Sequence, residues 1–118
     1  MILVDTSVWI DHLRAADARL VELLLEGQVL CHPFVIGELA CGALKRRAEI
    51  LRLLKELPQA PAVESDHVLV FLDVHALIGK GLGLVDVHLI ASAYASGHRF
   101  WTKDRRLAEA ARRVGVAG

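Results

Sequence analysis

The sequence has few cysteines, few aromatic residues and no excess of charge of either sign. The scarcity of cysteine and the balance of charge each argue against a class of protein. Its two cysteines, Cys31 and Cys41, are ten positions apart and form no CxxC pattern. We therefore expect neither a disulfide framework nor a cysteine zinc site, and we predict buried free thiols. Basic and acidic residues number 14 each, so the overall charge gives no argument for a nucleic-acid partner.

Long apolar runs are also missing. No run approaches the ~18 residues that a membrane-spanning helix needs. The first residues lack a basic segment, and their apolar run is too short for a signal peptide. These features predict a cytoplasmic protein.

What the chain does have is enough apolar content for a core. Hydrophobic residues make up 54% of the 118 positions and charged residues 24%, which excludes a disordered chain and fits one domain spanning residues 1–118. Short β-favouring runs alternate with helical patterns, which predicts an α/β fold with three α/β/α layers and a mainly parallel central sheet. Strands are predicted at Ile2–Val4, Val29–Cys31, Ala62–Val63 and Arg99–Thr102. Helices are predicted from Thr6, from Asp17 to Gly27, and over Phe34–Lys45, Arg47–Leu57, Ser65–Ile78, Val85–Ser96 and Asp104–Val114.

The stretch MILVDTSVWID at the start of the chain predicts a site. A short apolar run stops at Asp5, and Thr6 and Ser7 are good residues for beginning a helix. The pattern indicates a strand that ends in a carboxylate and is followed at once by a helix. In open α/β sheets, sites are built at the carboxyl ends of the strands.

Three further acidic residues are not explained by a polar helix face. Glu38 lies within FVIGELACGAL among apolar or small helical neighbours, so its carboxylate is expected on an inward face. Asp86 has a similar setting within GLGLVDVHLIASA, and Asp104 follows the strand RFWT. Each acid also has a purely structural interpretation, as a turn residue, an ion-pair partner or a helix cap. The four are nevertheless expected at one edge of the sheet.

Four carboxylates at one place need a cation. Two carboxylates about 4 Å apart repel each other by roughly 4 kcal/mol at an effective dielectric constant near 20. No arginine lies within these apolar segments to compensate them. A carboxylate-rich site suits a hard divalent ion, Mg²⁺ or Mn²⁺, and such a site supports phosphodiester hydrolysis.

DTSVWID, GELACG, DVHLIASAYASG and TKDRRL, in this order and at compatible spacing, resemble the PIN-domain nucleases, and most closely the VapC toxins of toxin–antitoxin pairs. The resemblance covers essentially the whole chain. It implies a PIN-like domain with Mg²⁺-dependent endoribonuclease activity and inhibition by a VapB-type antitoxin. The metal and catalytic positions that it implies are Asp5, Glu38, Asp86 and Asp104.

The resemblance also assigns supporting residues, and it has departures. Ser7 and Thr102 match hydroxyl positions that orient the carboxylates or the water. His32 precedes Pro33 where relatives often have a small hydroxyl residue, which puts that helix cap in question. Arg105 follows Asp104 in a segment where many relatives have an aromatic residue.

Local basic residues and apolar helices suggest partners. Lys103, Arg105 and Arg106 flank Asp104 and could contact RNA phosphates, although a solvated surface explains them equally well. The long apolar helices predict a homodimer and a hydrophobic groove for a partner helix.

Two other functions compete with the nuclease interpretation. A phosphatase of the haloacid-dehalogenase kind also begins with a strand that ends in Asp, but it needs a second Asp where this chain has Ser7. That function is therefore rejected. A non-catalytic PIN-like module that binds RNA or protein is the alternative that remains, although such a module has no need of four mutually repelling carboxylates.

Overall fold

Three short parallel strands form the centre of the molecule. The computed structural model describes all residues, 1–118. The strands are β1 (Ile2–Val4), β2 (Val29–Leu30) and β3 (Arg99–Trp101). Their order in the sheet is β2-β1-β3, so the first strand of the chain is the central one. Leu3 lies opposite Leu30 on one side and Phe100 on the other.

Seven helices flank the sheet, which confirms the predicted three-layer α/β/α architecture with parallel strands. They are α1 (Thr6–Arg14), α2 (Ala18–Leu25), α3 (Pro33–Cys41), α4 (Arg47–Glu56), α5 (Ser65–Val74), α6 (Leu84–Ser96) and α7 (Arg105–Val114). None of them has the length and apolar character that crossing a membrane would require.

Local sequence explains where several helices begin and end. Asp17 accepts a hydrogen bond from the backbone N–H of Leu20 at 3.0 Å and so caps α2. His32, whose position put the cap of α3 in question, supplies that cap itself: its Nδ1 accepts from the backbone N–H of Phe34 at 2.9 Å. Gly97 ends α6 in the left-handed conformation, with φ of 72°.

The structure corrects two predicted helix ends. Helix α3 ends at Cys41 rather than at Lys45, because the backbone turns to an extended conformation at Gly42. Helix α5 ends at Val74 rather than at Ile78, because Ala76 adopts a left-handed φ of 54°. The resulting turn places Leu77 in the core, where it is 2% exposed.

Two other expectations from the sequence are wrong. Ala62–Val63 forms no strand; instead Gln59 pairs with Cys31 at the end of β2, and Cys31 accepts a hydrogen bond from the backbone N–H of Ala60 at 2.7 Å. Of the two thiols only Cys31 is buried, while Cys41 is exposed at the end of α3.

Helix α6 is the most deeply buried helix segment next to the sheet. It packs on β1 and β3 and buries an unbroken stretch of its residues, from Val87 to Ala93. Asp86 lies immediately before that stretch, in the first turn of α6.

Candidate active site

Asp5 is held at the end of β1 by two hydroxyl groups. Its side chain is 5% exposed, and its Oδ2 accepts hydrogen bonds from Ser7 Oγ at 2.7 Å and from Thr102 Oγ1 at 2.8 Å. The backbone N–H of Asp5 donates to the carbonyl of Trp101 at 2.9 Å. This network joins the end of β1, the start of α1 and the end of β3, and it fixes the orientation of the carboxylate.

The same two hydroxyls position the segment that leads to Asp104. The backbone N–H of Lys103 donates to Ser7 Oγ at 3.0 Å, and that of Asp104 donates to Thr102 Oγ1 at 3.1 Å. Asp104 is also the cap of α7: its Oδ1 accepts from the backbone N–H groups of Arg106 and Leu107. The structural interpretation of Asp104 is therefore correct, and its Oδ2 still has no hydrogen-bond partner.

Asp86 occupies the first turn of α6 and shares its electrostatic environment with two of the other acids. Its Oδ2 accepts a hydrogen bond from the backbone N–H of Gly83 at 3.1 Å. Burial raises the pKa of the Asp86 carboxyl, the bond from Gly83 opposes this, and the negative charges of Asp5 and Asp104 raise the pKa further. The structure thus brings Asp86 near enough to Asp5 and to Asp104 for each of them to repel its carboxylate.

Glu38 differs from its expected position. The sequence predicted an inward face, but the residue is exposed, because its helix turns the apolar residues Val35 and Leu39 into the core instead. Its Oε1 accepts a hydrogen bond from Thr6 Oγ1 at 2.6 Å. Sequence reasoning missed Thr6 in this role, having treated it only as a residue that begins α1. The only signal in the sequence was a hydroxyl residue directly after Asp5.

The four carboxylates share one property. In each, one oxygen accepts hydrogen bonds from the protein and the other has no partner in the chain; the residues are Asp5, Glu38, Asp86 and Asp104. No group of three or more Asp, Glu, His or Cys side chains is arranged so that it could hold an ion by itself. The free oxygens fit Mg²⁺, which typically binds one or two carboxylates and keeps several water ligands.

The three basic residues beside Asp104 are not equivalent. Lys103 Nζ lies 3.2 Å from Asp11 Oδ2 and 3.3 Å from Asp17 Oδ2. The hydrogen bonds to these two carboxylates raise the pKa of Lys103. The guanidinium groups of Arg105 and Arg106 are exposed and form no hydrogen bond or ion pair, so they are the more available cations.

The structure thus shows a strand-end carboxylate held by two hydroxyls, with the Asp86 carboxyl close enough to feel the charges of Asp5 and Asp104. Residues 2–113 match the PIN domain family. The chain belongs to that family. It is similar over its whole length to two relatives called Ribonuclease VapC32, from the Mycobacterium tuberculosis strains CDC 1551 / Oshkosh and ATCC 25618 / H37Rv. Each is 55% identical over 118 residues, which cover 99% of this chain and 95% of the relative.

Proposed function

We propose that this protein is an Mg²⁺-dependent endoribonuclease, with Mn²⁺ as a possible substitute, and that it is the toxin of a type II toxin–antitoxin pair. The observation that carries the proposal is the set of four carboxylates, each with one oxygen held by the protein and one free. Repulsion of the Asp86 carboxylate by Asp5 and by Asp104 is costly for a purely structural role, and a bound cation would remove that cost. The name of the relatives, ribonuclease, supports RNA as the substrate.

The roles of the residues follow from their positions. Asp5 and Asp86 would hold the ion, with Glu38 and Asp104 completing the site through water or directly. Ser7 and Thr102 fix the Asp5 carboxylate by their hydrogen bonds. An ion held by these residues would supply a water of lowered pKa and positive charge for the leaving oxygen of the phosphodiester.

Phosphate binding falls to the basic residues beside the acids. Arg105 and Arg106 have free guanidinium groups and would hold the phosphates that flank the scissile bond. Lys103 would contribute less, because two carboxylates already compete for its ammonium group.

The proposal includes partners. We propose that residues 1–118 act as one domain in the cytoplasm, inhibited by a VapB-type antitoxin. We also propose a homodimer, supported by exposed aliphatic side chains on and just after α5; Leu69, Val70, Val74 and Ile78 are each 57–70% exposed. Such a patch is typical of a protein–protein interface.

Cleavage of labelled RNA by the purified chain tests the activity. Wild type should cut in Mg²⁺ or Mn²⁺ and stop when EDTA is added. Asp5→Asn and Asp86→Asn should lose cleavage, while the matched control Asp73→Asn, which changes an exposed acid on α5, should keep it. Binding without cleavage under all metal conditions would instead identify a non-catalytic PIN-like module.

Growth of a host that expresses the chain tests the biological role. Expression of wild type alone should arrest growth, and expression of Asp86→Asn should not. Co-expression of a small DNA-binding protein encoded immediately upstream should restore growth. Normal growth with an active wild-type nuclease would contradict the toxin assignment and leave the enzymatic one.

A further inference from the structure

A basic cleft lies next to Asp104, between α7 and the loop that follows α5. Its volume is about 690 Å³. Its walls include five cations and one carboxylate: Lys80, Arg105, Arg106, Arg112, Arg113 and Glu109. The cleft therefore has four net positive charges, while the whole chain has none. Five of the 14 basic residues of this neutral protein therefore line one cleft.

Most of these cations have no partner within the protein. Arg112 pairs with Glu109 one turn earlier on α7, and that contact lowers the pKa of the Glu109 carboxyl. The side chains of the other four cations form no hydrogen bond or ion pair. Unpaired like charges on one surface repel each other, and an anionic ligand would relieve that repulsion.

The cleft borders directly on the acids. Arg106 donates its backbone N–H to Asp104 Oδ1, and its guanidinium lies against Gly81, where an added Cβ would be 2.9 Å from Arg106 Nη1. Two residues after Gly81, the backbone N–H of Gly83 donates to Asp86 Oδ2. One wall of the cleft is thus continuous with the residues that hold Asp86 and Asp104.

The spacing of the cations indicates a chain of phosphates rather than a single one. Arg105 and Arg112 are seven residues apart on α7, as are Arg106 and Arg113. Two helical turns correspond to about 10 Å at a rise of 1.5 Å per residue. This length exceeds the size of one phosphate group, so the cations on α7 can contact more than one phosphate of a single strand.

We propose that this cleft is the track for the RNA backbone on one side of the scissile bond, and that Lys80, Arg112 and Arg113 are phosphate-binding residues. The inference rests on the proposed nuclease function, since it takes RNA as the ligand. It adds three residues that lie outside the stretch around Asp104.

Binding of a fluorescein-labelled 20-nucleotide oligouridine, measured in EDTA so that no cleavage occurs, tests the inference. Lys80→Gln/Arg113→Gln removes two charges from the cleft. The matched control, Lys45→Gln/Lys55→Gln, removes two exposed and unpaired charges elsewhere. The cleft variant should bind about tenfold more weakly at low salt. Its slope of log affinity against log salt should fall by about 1.4, because each contact with single-stranded nucleic acid contributes ~0.7.

Other results would overturn the inference. Equal losses in the cleft variant and the control would mean that only the overall charge matters. Unchanged RNA affinity in the cleft variant would show that the cleft does not bind RNA. The same conclusion would follow if the variant lost affinity for poly-glutamate, a different polyanion, but kept its affinity for RNA. Thermal unfolding of both variants checks that they remain folded.

Failure of the inference can be distinguished from failure of the proposed function. If wild type cuts RNA in Mg²⁺ but the cleft variant binds oligouridine normally, the nuclease assignment stands and the cleft is not the track. If wild type never cuts but the cleft variant loses affinity and salt slope, the cleft is an RNA-binding surface on a non-catalytic protein.

Discussion

Thr6 donates its hydroxyl to Glu38 Oε1 across 2.6 Å and so connects the first turn of α1 to the middle of α3. It is the one hydrogen bond that the Glu38 carboxylate makes. Thr6 is 9% exposed and follows Asp5 directly, while Glu38 is open to solvent. The bond therefore holds a solvated carboxylate in one orientation relative to the end of β1.

Replacing Thr6 by valine should impair catalysis more than folding. Valine keeps the shape of threonine but cannot donate, so Glu38 would rotate freely while water satisfies its oxygens. Since we propose Glu38 as part of the metal site, we expect kcat/KM for RNA cleavage to fall about 10- to 100-fold, the usual cost of losing a partner of a metal ligand. The melting temperature should change little. Thr6→Ser, which keeps the hydroxyl, should cleave at close to the wild-type rate; equal losses in both variants would contradict this role.

Asp86→Asn should lower the cleavage activity and raise the stability of the folded protein. Burial, and then the charges of Asp5 and Asp104, disfavour the ionised Asp86 in the folded protein, so removing that charge should raise the melting temperature in EDTA. The asparagine can still accept from Gly83. Cleavage should fall more than about 100-fold, beyond the loss expected for an outer-shell partner. Asp73→Asn should change neither quantity. A less stable Asp86→Asn variant in EDTA would show that repulsion is not the dominant effect.

Lys103→Gln should affect RNA binding less than Arg106→Gln does. The Lys103 ammonium is already shared between Asp11 and Asp17, so a phosphate must compete with both. The Arg106 guanidinium has no such competitor. In oligouridine binding at low salt we expect less than a twofold loss for Lys103→Gln and several-fold for Arg106→Gln. The opposite ranking would mean that Lys103 leaves its two carboxylates when RNA binds.

The sequence predicted the parts of the site that depend on local patterns. Asp5 and Asp104 follow β-favouring runs, so their places at strand ends could be inferred without a structure. The exposure of Glu38 could not be inferred from the sequence. Its helix has apolar residues on several faces, and only tertiary packing determines which face is buried. The contact between Thr6 and Glu38 depends on how α1 packs near α3. The spacing of residues along the chain does not predict that arrangement. The end of α5 was missed for a similar reason, since burial of Leu77 favours a left-handed turn at Ala76.

His32 should make the protein less stable in mild acid. Its Nδ1 accepts from the backbone N–H of Phe34, and its Nε2 is buried without a partner. Burial, and then the nearby His88, lowers the pKa of His32 from 6.5 to about 4. The unfolded chain therefore binds a proton that the folded chain rejects, and stability is lost as the pH falls below about 6.5.

Urea unfolding at pH 7 and pH 5 measures this effect. The difference in pKa corresponds to a loss of about 2 kcal/mol between these two values. His32→Asn keeps a side chain that can cap α3 but cannot be protonated, so it should lose about 2 kcal/mol less than wild type over this interval. His67→Asn changes an exposed histidine and should keep the wild-type dependence. A His32→Asn variant with unchanged pH dependence would place the titrating group elsewhere.

Replacing Gly81 and replacing Gly37 by alanine should have opposite effects on stability. Gly81 has a φ of 75°, so alanine there should cost about 1–2 kcal/mol, and its Cβ would also displace the Arg106 guanidinium. Gly37 lies inside α3 with open space around an added Cβ, so alanine there should stabilise by about 0.5–1 kcal/mol. Urea unfolding gives both values. Because Arg106 lines the basic cleft, Gly81→Ala should also weaken oligouridine binding in EDTA, whereas Gly37→Ala should not. A Gly81→Ala variant that is destabilised but binds RNA normally would show that the position of Arg106 against this loop does not contribute to the RNA track.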